Sequence, residues 1–249
     1  MITKLQVKYI QSLGQKKFRD EEAVFIAEGP KIINELLGDP SIKPVTVYAI
    51  REWIDEAMPA AETTAPFELI EIKQQELERC SFLHTPNQVL GIFKKPVYTK
   101  LDFSNTVSLM LDGIQDPGNL GTIIRIADWF GIVNIACSND CADAFAPKVV
   151  QATMGSIARV KLMYTDLAEL MKAMPDIDLY AATLDGVSID NLQPLRQGII
   201  VTGNESRGIS GTLLQYCKHK ITIPRIGHAE SLNAAVATGI ILSHLVKGG

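Results

Sequence analysis

Residues 106–137 read TVSLMLDGIQDPGNLGTIIRIADWFGIVNIAC. The stretch opens on a nearly continuous apolar run, TVSLMLDGI, breaks at Asp-Pro-Gly, proceeds as a helical pattern, NLGTIIRIADWFG, and closes on a second apolar run, VNIAC. A strand with no polar face is buried on both sides, and two such strands joined through a helix are parallel neighbours in a covered sheet. In the helical part Leu120, Ile123, Ile124 and Ala127 share one stripe, whereas Arg125 projects about 140° away from Leu120 at about 100° per residue. Arg125 is therefore expected off the core face. Asn119 stands where a side chain that caps a helix start is expected.

The same alternation extends toward the C-terminus. RVKLMY, DLYAAT, GIIVTG and KITIP read as strands, and DLAELMKAM, GTLLQYC and SLNAAVATGIILSHLV as helices. Toward the N-terminus, AVFIAEG, VTVYAI, FELIEI and NQVLGIF read as strands between the helical runs PKIINELLG, REWIDEAM and KQQELERC. The expected fold is α/β, with a small α/β domain over residues 1–98 and a mostly parallel-sheet α/β domain over residues 105–249. A polar, proline-containing linker between about Pro96 and Asn105 separates them. No internal repeat is present.

Composition narrows the class further. Of 249 residues, 47% are apolar and 21% charged, with 18 Gly and 12 Pro, which excludes collagenous, low-complexity and supercharged chains. No apolar run approaches the roughly 18 residues of a membrane span, and the opening MITKLQVKYIQSLGQKKFR lacks an apolar block and a cleavage site, so a cytoplasmic, membrane-free protein is expected. Cys80, Cys137, Cys141 and Cys217 show no paired spacing of a zinc site or a secreted disulfide framework, and no metal is expected. The net charge of −4 argues against indiscriminate nucleic-acid binding. Yet Lys4, Lys8, Lys16, Lys17 and Arg19 precede the first acid, Asp20. On charge pattern alone, a solvated helix face and an RNA-contacting arm are both open.

Three strand-to-loop passages hold the unusual residues, at the carboxyl ends where such sheets bind ligands. The first, Asp112 to Arg125, carries Asn119 and Arg125; taken in isolation, an arginine there reads first as a solvated residue or a surface ion pair and only second as a catalytic one. The second, Thr202 to Gly208, combines glycines that admit a close ligand with Glu205 and Arg207, though such a turn is also simply a turn. The third, Pro224 to Asn233, runs into a helix for which Ser231 is the expected N-cap, with capping alone as the plain alternative for Ser231 and Asn233. Small residues Ala234, Ala235, Ala237 and Gly239 follow, suited to close packing on the sheet or on a second subunit. GxGxxG after a strand, GxxxxGK[ST], HExxH and GxSxG are all absent.

The words DPGNLGTIIRIAD, VTGNESRGIS and ITIPRIGHAESLNAAVA together resemble the three motifs of the SpoU, or TrmH-like, branch of the SPOUT RNA ribose methyltransferases, in the family's order. KKFRDEEAVFIAEGPKIINELL resembles the opening of the substrate-binding domain often fused in front. The resemblance implies a C-terminal trefoil knot, S-adenosylmethionine bound by the knotted loops, and a homodimer whose sites draw on both subunits. It implies transfer of a methyl group to a ribose 2′-hydroxyl of structured transfer or ribosomal RNA. It places Asn119, Arg125, Glu205, Ser231 and Asn233 at catalysis and substrate positioning, with Glu205 fixing Arg125 or Arg207. Thr202, Gly203, Asn204, Ile223, Pro224 and Leu232 are placed along the cofactor, and Lys16, Lys17 and Arg19 on RNA. Arg225 and Ala234 depart from the methionine and valine common at these points of the family. The rival readings are a non-catalytic RNA-binding or ribosome-assembly module, and an α/β enzyme for a small molecule.

Overall fold

A computed structural model describes residues 2–57 and 66–246, so Met58, which closes the expected helical run REWIDEAM, lies outside the described residues. The chain divides into two compact units, one comprising Met1–Val97 with Asp143–Ala158, the other Tyr98–Ala142 with Arg159–Gly249.

The first unit begins with α1 (Lys4–Ser12) and α2 (Lys16–Glu21). A reciprocal cap starts α1: Thr3 Oγ1 accepts from the Gln6 N–H at 3.2 Å, and Gln6 Oε1 accepts from the Thr3 N–H at 2.9 Å. There follow β1 (Val24–Glu28), α3 (Pro30–Gly38), β2 (Pro44–Ala49), α4 (Arg51–Ala57), β3 (Glu68–Glu71), α5 (Gln74–Glu78) and β4 (Val89–Lys94). The strands lie in the order β1-β4-β2-β3, antiparallel except between β2 and β3. Alternation along β1 feeds two packing layers. Val24 and Ile26 join Ile10, Leu13, Leu77, Leu90 and Ile92. Phe25 stacks on Phe93 at 5.6 Å between ring centroids and meets Phe145 at 5.2 Å.

Phe145 belongs to a segment that the sequence reading counts with the second domain. Its helix, Pro147–Thr153, buries Val149, Val150 and Thr153. The preceding Asp143 meets Arg19, which is only 2% exposed. Arg19 Nη2 lies 2.5 Å from Asp143 Oδ2, and Nη1 donates to the carbonyls of Leu13 and Gly14, each at 2.8 Å. This corrects the grouping of Arg19 with the RNA contacts: its guanidinium is enclosed and committed, while Lys16 and Lys17 are exposed.

The second unit contains β5 (Val107–Asp112), α6 (Pro117–Trp129), β6 (Asn134–Cys137), β7 (Lys161–Tyr164), α8 (Leu167–Lys172), β8 (Leu179–Ser188), β9 (Gly198–Gly203), α9 (Gly211–Leu214), β10 (His219–Thr222) and α10 (Ala234–Leu245), with α7 the Pro147–Thr153 helix already placed. Its strands run in the order β10-β8-β9-β5-β6-β7, and every pairing is parallel, as continuous apolar strands require. Leu101 and Phe103, from the expected linker, are buried in this unit's core. The pairing of β8 with β10 is broken. His219 and Lys220 pair with Tyr180 and Ala181, but Ile221 and Thr222 pair with Val187 and Ser188, so residues 182–186 leave the ladder. Among the described residues no helix is long and apolar enough to cross a membrane.

Candidate active site

From β5 the chain steps outward to β6 and β7, then returns to the far side as β8 before β9 inserts beside β5. The strand order therefore reverses between β5 and β9, the place where open parallel sheets hold ligands. Their last residues, Asp112 and Gly203, are register partners. The loops that leave there are held together from within. Asn204 Nδ2 donates to the Gly113 carbonyl at 2.9 Å, and its Oδ1 accepts from the N–H groups of Ser206 and Arg207 at 2.9 and 3.1 Å. Asp112 Oδ2 accepts from the Ser210 N–H at 2.7 Å. Gly113 and Gly208 turn these loops with φ of 70° and 68°, in the left-handed region that a side chain disfavours. Asn204, placed by resemblance along the cofactor, thus commits its side chain to joining two loops.

Both helices at the site start away from the expected caps, α6 three residues earlier and α10 two residues later. Asp116, just before Pro117 at the first helical position, caps α6 by accepting from the Asn119 N–H at 2.8 Å. Asn233, not Ser231, caps α10, its Oδ1 accepting from Ala235 and Val236 N–H at 3.0 and 3.2 Å. These caps release Asn119 for another role. Asn233 Nδ2 donates to Asn119 Oδ1 at 2.8 Å, and Asn119 Nδ2 donates to Glu205 Oε1. Each amide's orientation follows from the previous bond, because Asn233 Oδ1 is already spent on helix N–H groups. One continuous array, Glu205–Asn119–Asn233, therefore ties together all three passages that the sequence singles out.

Glu205 was expected on Arg125 or Arg207, and here the geometry differs. Arg207 Nη2 lies 3.5 Å from Asp140 Oδ2. Arg125 is exposed on α6 and, among the described residues, makes no hydrogen bond or ion pair. Six residues separate Asn119 from Arg125, about 9 Å along the helix and about 120° around it. Within one chain, Arg125 thus projects away from the array. The expected apolar stripe holds: Leu120, Ile123, Ile124 and Ala127 are fully buried.

Of the positions assigned to cofactor, Thr202 is buried at the end of β9, with its hydroxyl 3.2 Å from that of Thr238. Thr238 donates its single proton to the Ala234 carbonyl at 2.8 Å, so Thr202 is the donor of the pair. Gly203 lies against the backbone of Gly208 and Ile209, leaving no room for a Cβ. From Ile223 to Leu232 the chain is a loop in which, among the described residues, no backbone-to-backbone hydrogen bond forms. Pro224, Ser231 and Leu232 are exposed and Ile223 half-buried. Beside the root of this loop lies the 182–186 excursion of β8, anchored by Lys220 Nζ to Asp185 Oδ2 at 3.2 Å. The sequence reading passed over that excursion, although the Asp185-Gly186 dipeptide is a turn signal. It names Asp112 only as the start of the first passage and Asp140 only beside Cys137 and Cys141, and it gives neither its part in holding the loops. Among the described residues no group of three or more His, Cys, Asp and Glu side chains is arranged to hold a metal.

Residues 106–243 match the SpoU rRNA Methylase family, and residues 4–91 match the MRM3-like substrate binding domain. The chain is 28% identical over 244 residues to the 23S rRNA (guanosine(2553)-2′-O)-methyltransferase RlmP of Bacillus subtilis, covering 96% of this chain and 95% of that one. A TrmH-family protein of Porphyromonas gingivalis superimposes with a TM-score of 0.88 at 35% identity, over 98% of both chains. An rRNA methyltransferase of Sinorhizobium meliloti, solved with bound AdoMet, superimposes with a TM-score of 0.84 at 29% identity, over 98% of this chain and 95% of that one.

Proposed function

The chain belongs to the SpoU rRNA methylase family, and from that premise we propose that it transfers a methyl group from S-adenosylmethionine to a ribose 2′-hydroxyl of ribosomal RNA. The observation that carries this reading is the Glu205–Asn119–Asn233 array, which brings residues of all three passages into one hydrogen-bonded unit at the switch point. The test is methyl transfer from labelled S-adenosylmethionine to ribosomal RNA, followed by mapping of ribose methylation in cells with and without the gene. Binding of RNA with no methyl incorporation, at any cofactor concentration, would favour the non-catalytic module.

The residues present fit the cofactor. A loop whose backbone N–H and C=O groups are not paired with one another, running from Ile223 to Leu232, can satisfy a polar ligand. Leu184 at 76% and Leu232 at 45% exposure offer apolar surface for an adenine ring. Residues 223–232, with Thr202 and Gly203 beneath and the 182–186 excursion alongside, would hold it. When bound, S-adenosylmethionine supplies an electrophilic methyl group on a positively charged sulfur, so the leaving group needs no protonation. The protein's remaining work is to orient a weak nucleophile and to stabilise its loss of a proton. Arg125 does this best by binding the ribose hydroxyl and an adjacent phosphate, since a planar guanidinium can donate to both. Asn119, polarised by Glu205, and Asn233 fix the ribose side of the site, and the exposed Ser231 hydroxyl assists positioning.

Two finer statements extend the reading. The trefoil knot is supported by tight backbone passages: a Cβ on Gly186 would come within 2.5 Å of the Ile221 nitrogen, and Gly203 is equally closed in by Gly208 and Ile209. A homodimer is supported by the position of Arg125, which points away from its own chain's array. Exposed apolar residues at Trp129, Val133 and Val236, on and beside α6 and α10, agree with it. Residues 1–98 would bind RNA through exposed lysines, among them Lys16 and Lys17, and residues 105–249 would carry the chemistry. The cytoplasm, where a bacterial ribosome is assembled, is the compartment that this reading implies.

A further inference from the structure

Cys137 ends β6 as the register partner of Leu111, and Cys141, in the loop that follows, directs its thiol at the carbonyl of the same Leu111. Most buried thiols behave as small apolar groups. Cys141 has polar work instead. Its Sγ accepts from the Ile114 N–H at 3.3 Å, donates to the Leu111 carbonyl at 3.3 Å and lies 3.4 Å from Ser138 Oγ. Ser138 Oγ in turn accepts from the Gly113 N–H at 2.8 Å. The dithiol therefore supports residues 111–114, the segment that leads from β5 into Asp116 and Asn119.

We propose that Cys137 and Cys141 form a dithiol that hydrogen peroxide closes into an internal disulfide, and that closure loosens the loop carrying Asp116 and Asn119. The pair is asymmetric in the way such chemistry needs. Cys141 is 9% exposed while Cys137 is fully enclosed, so a small peroxide reaches Cys141 first. The hydrogen bond from Cys137 holds the Cys141 thiol down to about 7, and that bond together with burial pushes Cys137 well above the ordinary thiol range. The Cys141 thiolate attacks one peroxide oxygen, the O–O bond breaks, and the departing hydroxide leaves as water after taking up a proton. Cys141 is then a sulfenic acid, two electrons having passed from sulfur to peroxide. The Cys137 sulfur attacks the Cys141 sulfur, the S–O bond breaks, and the hydroxyl leaves as a second water with the Cys137 proton. A dithiol reductant reverses the closure by exchange. In the closed form Cys141 has no proton for Leu111 and turns its sulfur toward Cys137, away from the Ile114 N–H.

The test treats the full chain with hydrogen peroxide, alkylates the remaining thiols and maps peptides by mass. Support is a peptide spanning residues 126–148 that is lighter by two hydrogens, unlabelled at both cysteines, and restored by dithiothreitol. Labelling at both cysteines, a sulfinic acid at Cys141 beside a free Cys137, or a bond to Cys80 or Cys217 would overturn the proposal. Single-turnover methyl transfer should fall about tenfold on closure and recover on reduction. Cys141→Ser and Cys137→Ala should keep their own rates under peroxide. A disulfide without any rate change overturns the coupling to the loop. This readout rests on the proposed activity, whose failure would appear as no transfer before peroxide is added. The thiol map needs neither activity nor variants.

Discussion

Arg125 tests the chemistry at the level of a single side chain. It is exposed, makes no hydrogen bond or ion pair among the described residues, and lies off the buried stripe of α6. Arg125→Ala should therefore leave folding and cofactor affinity nearly unchanged while slowing methyl transfer at least about a hundredfold, a barrier increase of about 2.7 kcal/mol. Arg125→Lys should fail to restore the rate, because an ammonium lacks the planar fork that spans a hydroxyl and a phosphate. Single-turnover rates at saturating RNA and cofactor, with calorimetry for cofactor binding, check both; near-wild-type turnover of the alanine variant would make Arg125 a surface residue. The orientation of Arg125 was readable from helical periodicity alone. The caps were not read correctly, for a physical reason that the sequence does contain: a proline tolerated at the first helical position marks the residue before it, Asp116, as the cap. At α10, Ser231 and Asn233 are both good capping types, and periodicity cannot rank residues two apart. The partner of Glu205 was misjudged because opposite charge favoured an arginine, whereas the folded loops bring it to an amide.

At the level of elements, the first unit holds two buried charges that carry opposite lessons. Arg19 and Asp143 form an enclosed pair, and removing one partner leaves the other buried without compensation. Arg19→Ala should cost about 3 to 5 kcal/mol, and joint replacement by Arg19→Met with Asp143→Leu should recover most of it. Urea unfolding of the three proteins measures this; an equal loss in the single and double variants would mean that the pair is not coupled. Glu28 is held above the ordinary carboxyl range by burial, which outweighs the hydrogen bonds from Ser81 and from the Phe82 N–H. Its native form thus binds a proton more tightly than its unfolded form. The group stabilises the fold below the ordinary carboxyl pKa, and that contribution disappears as pH rises through the native value. The stability of wild type relative to Glu28→Gln should accordingly be greater near about pH 4 than near about pH 7, as urea midpoints at the two pH values would show. Short elements were the least legible. Helix Pro147–Thr153 is too brief to display a period, and its packing partner, β1, lies more than a hundred residues earlier. The excursion of β8 escaped because the apolar pattern DLYAAT ends at Thr183, and only the pairing of β10 with Val187 and Ser188 shows that the strand resumes.

For the whole molecule, the parallel sheet was legible because continuous apolar runs separated by helices leave few other solutions, whereas quaternary structure leaves little trace in one sequence. Two measurements follow from the proposed assembly. Lys16 and Lys17 are exposed and outside the array, so Lys16→Ala with Lys17→Ala should weaken RNA binding and flatten its salt dependence by up to about 0.7 to 0.9 log unit per lost phosphate contact. Cofactor affinity should not change; a loss there would show that α2 supports the fold instead. The sharper measurement concerns which chain supplies Arg125. Arg125 lies about 9 Å along and about 120° around α6 from Asn119, so a site that uses both Arg125 and the Glu205–Asn119–Asn233 array is completed by a second copy. Consider Arg125→Ala and Glu205→Ala chains, each inactive alone, co-expressed so that they pair at random. If each site combines Arg125 of one chain with Glu205 of the other, every mixed dimer contains one intact and one doubly deficient site. Half of all dimers are mixed, so the preparation should regain about a quarter of the wild-type activity. If both residues act within one chain, no mixed dimer contains an intact site and the activity stays at the level of the single variants. Differently tagged chains, purified through both tags, should raise the recovered activity to about half of wild type, one working site in each dimer.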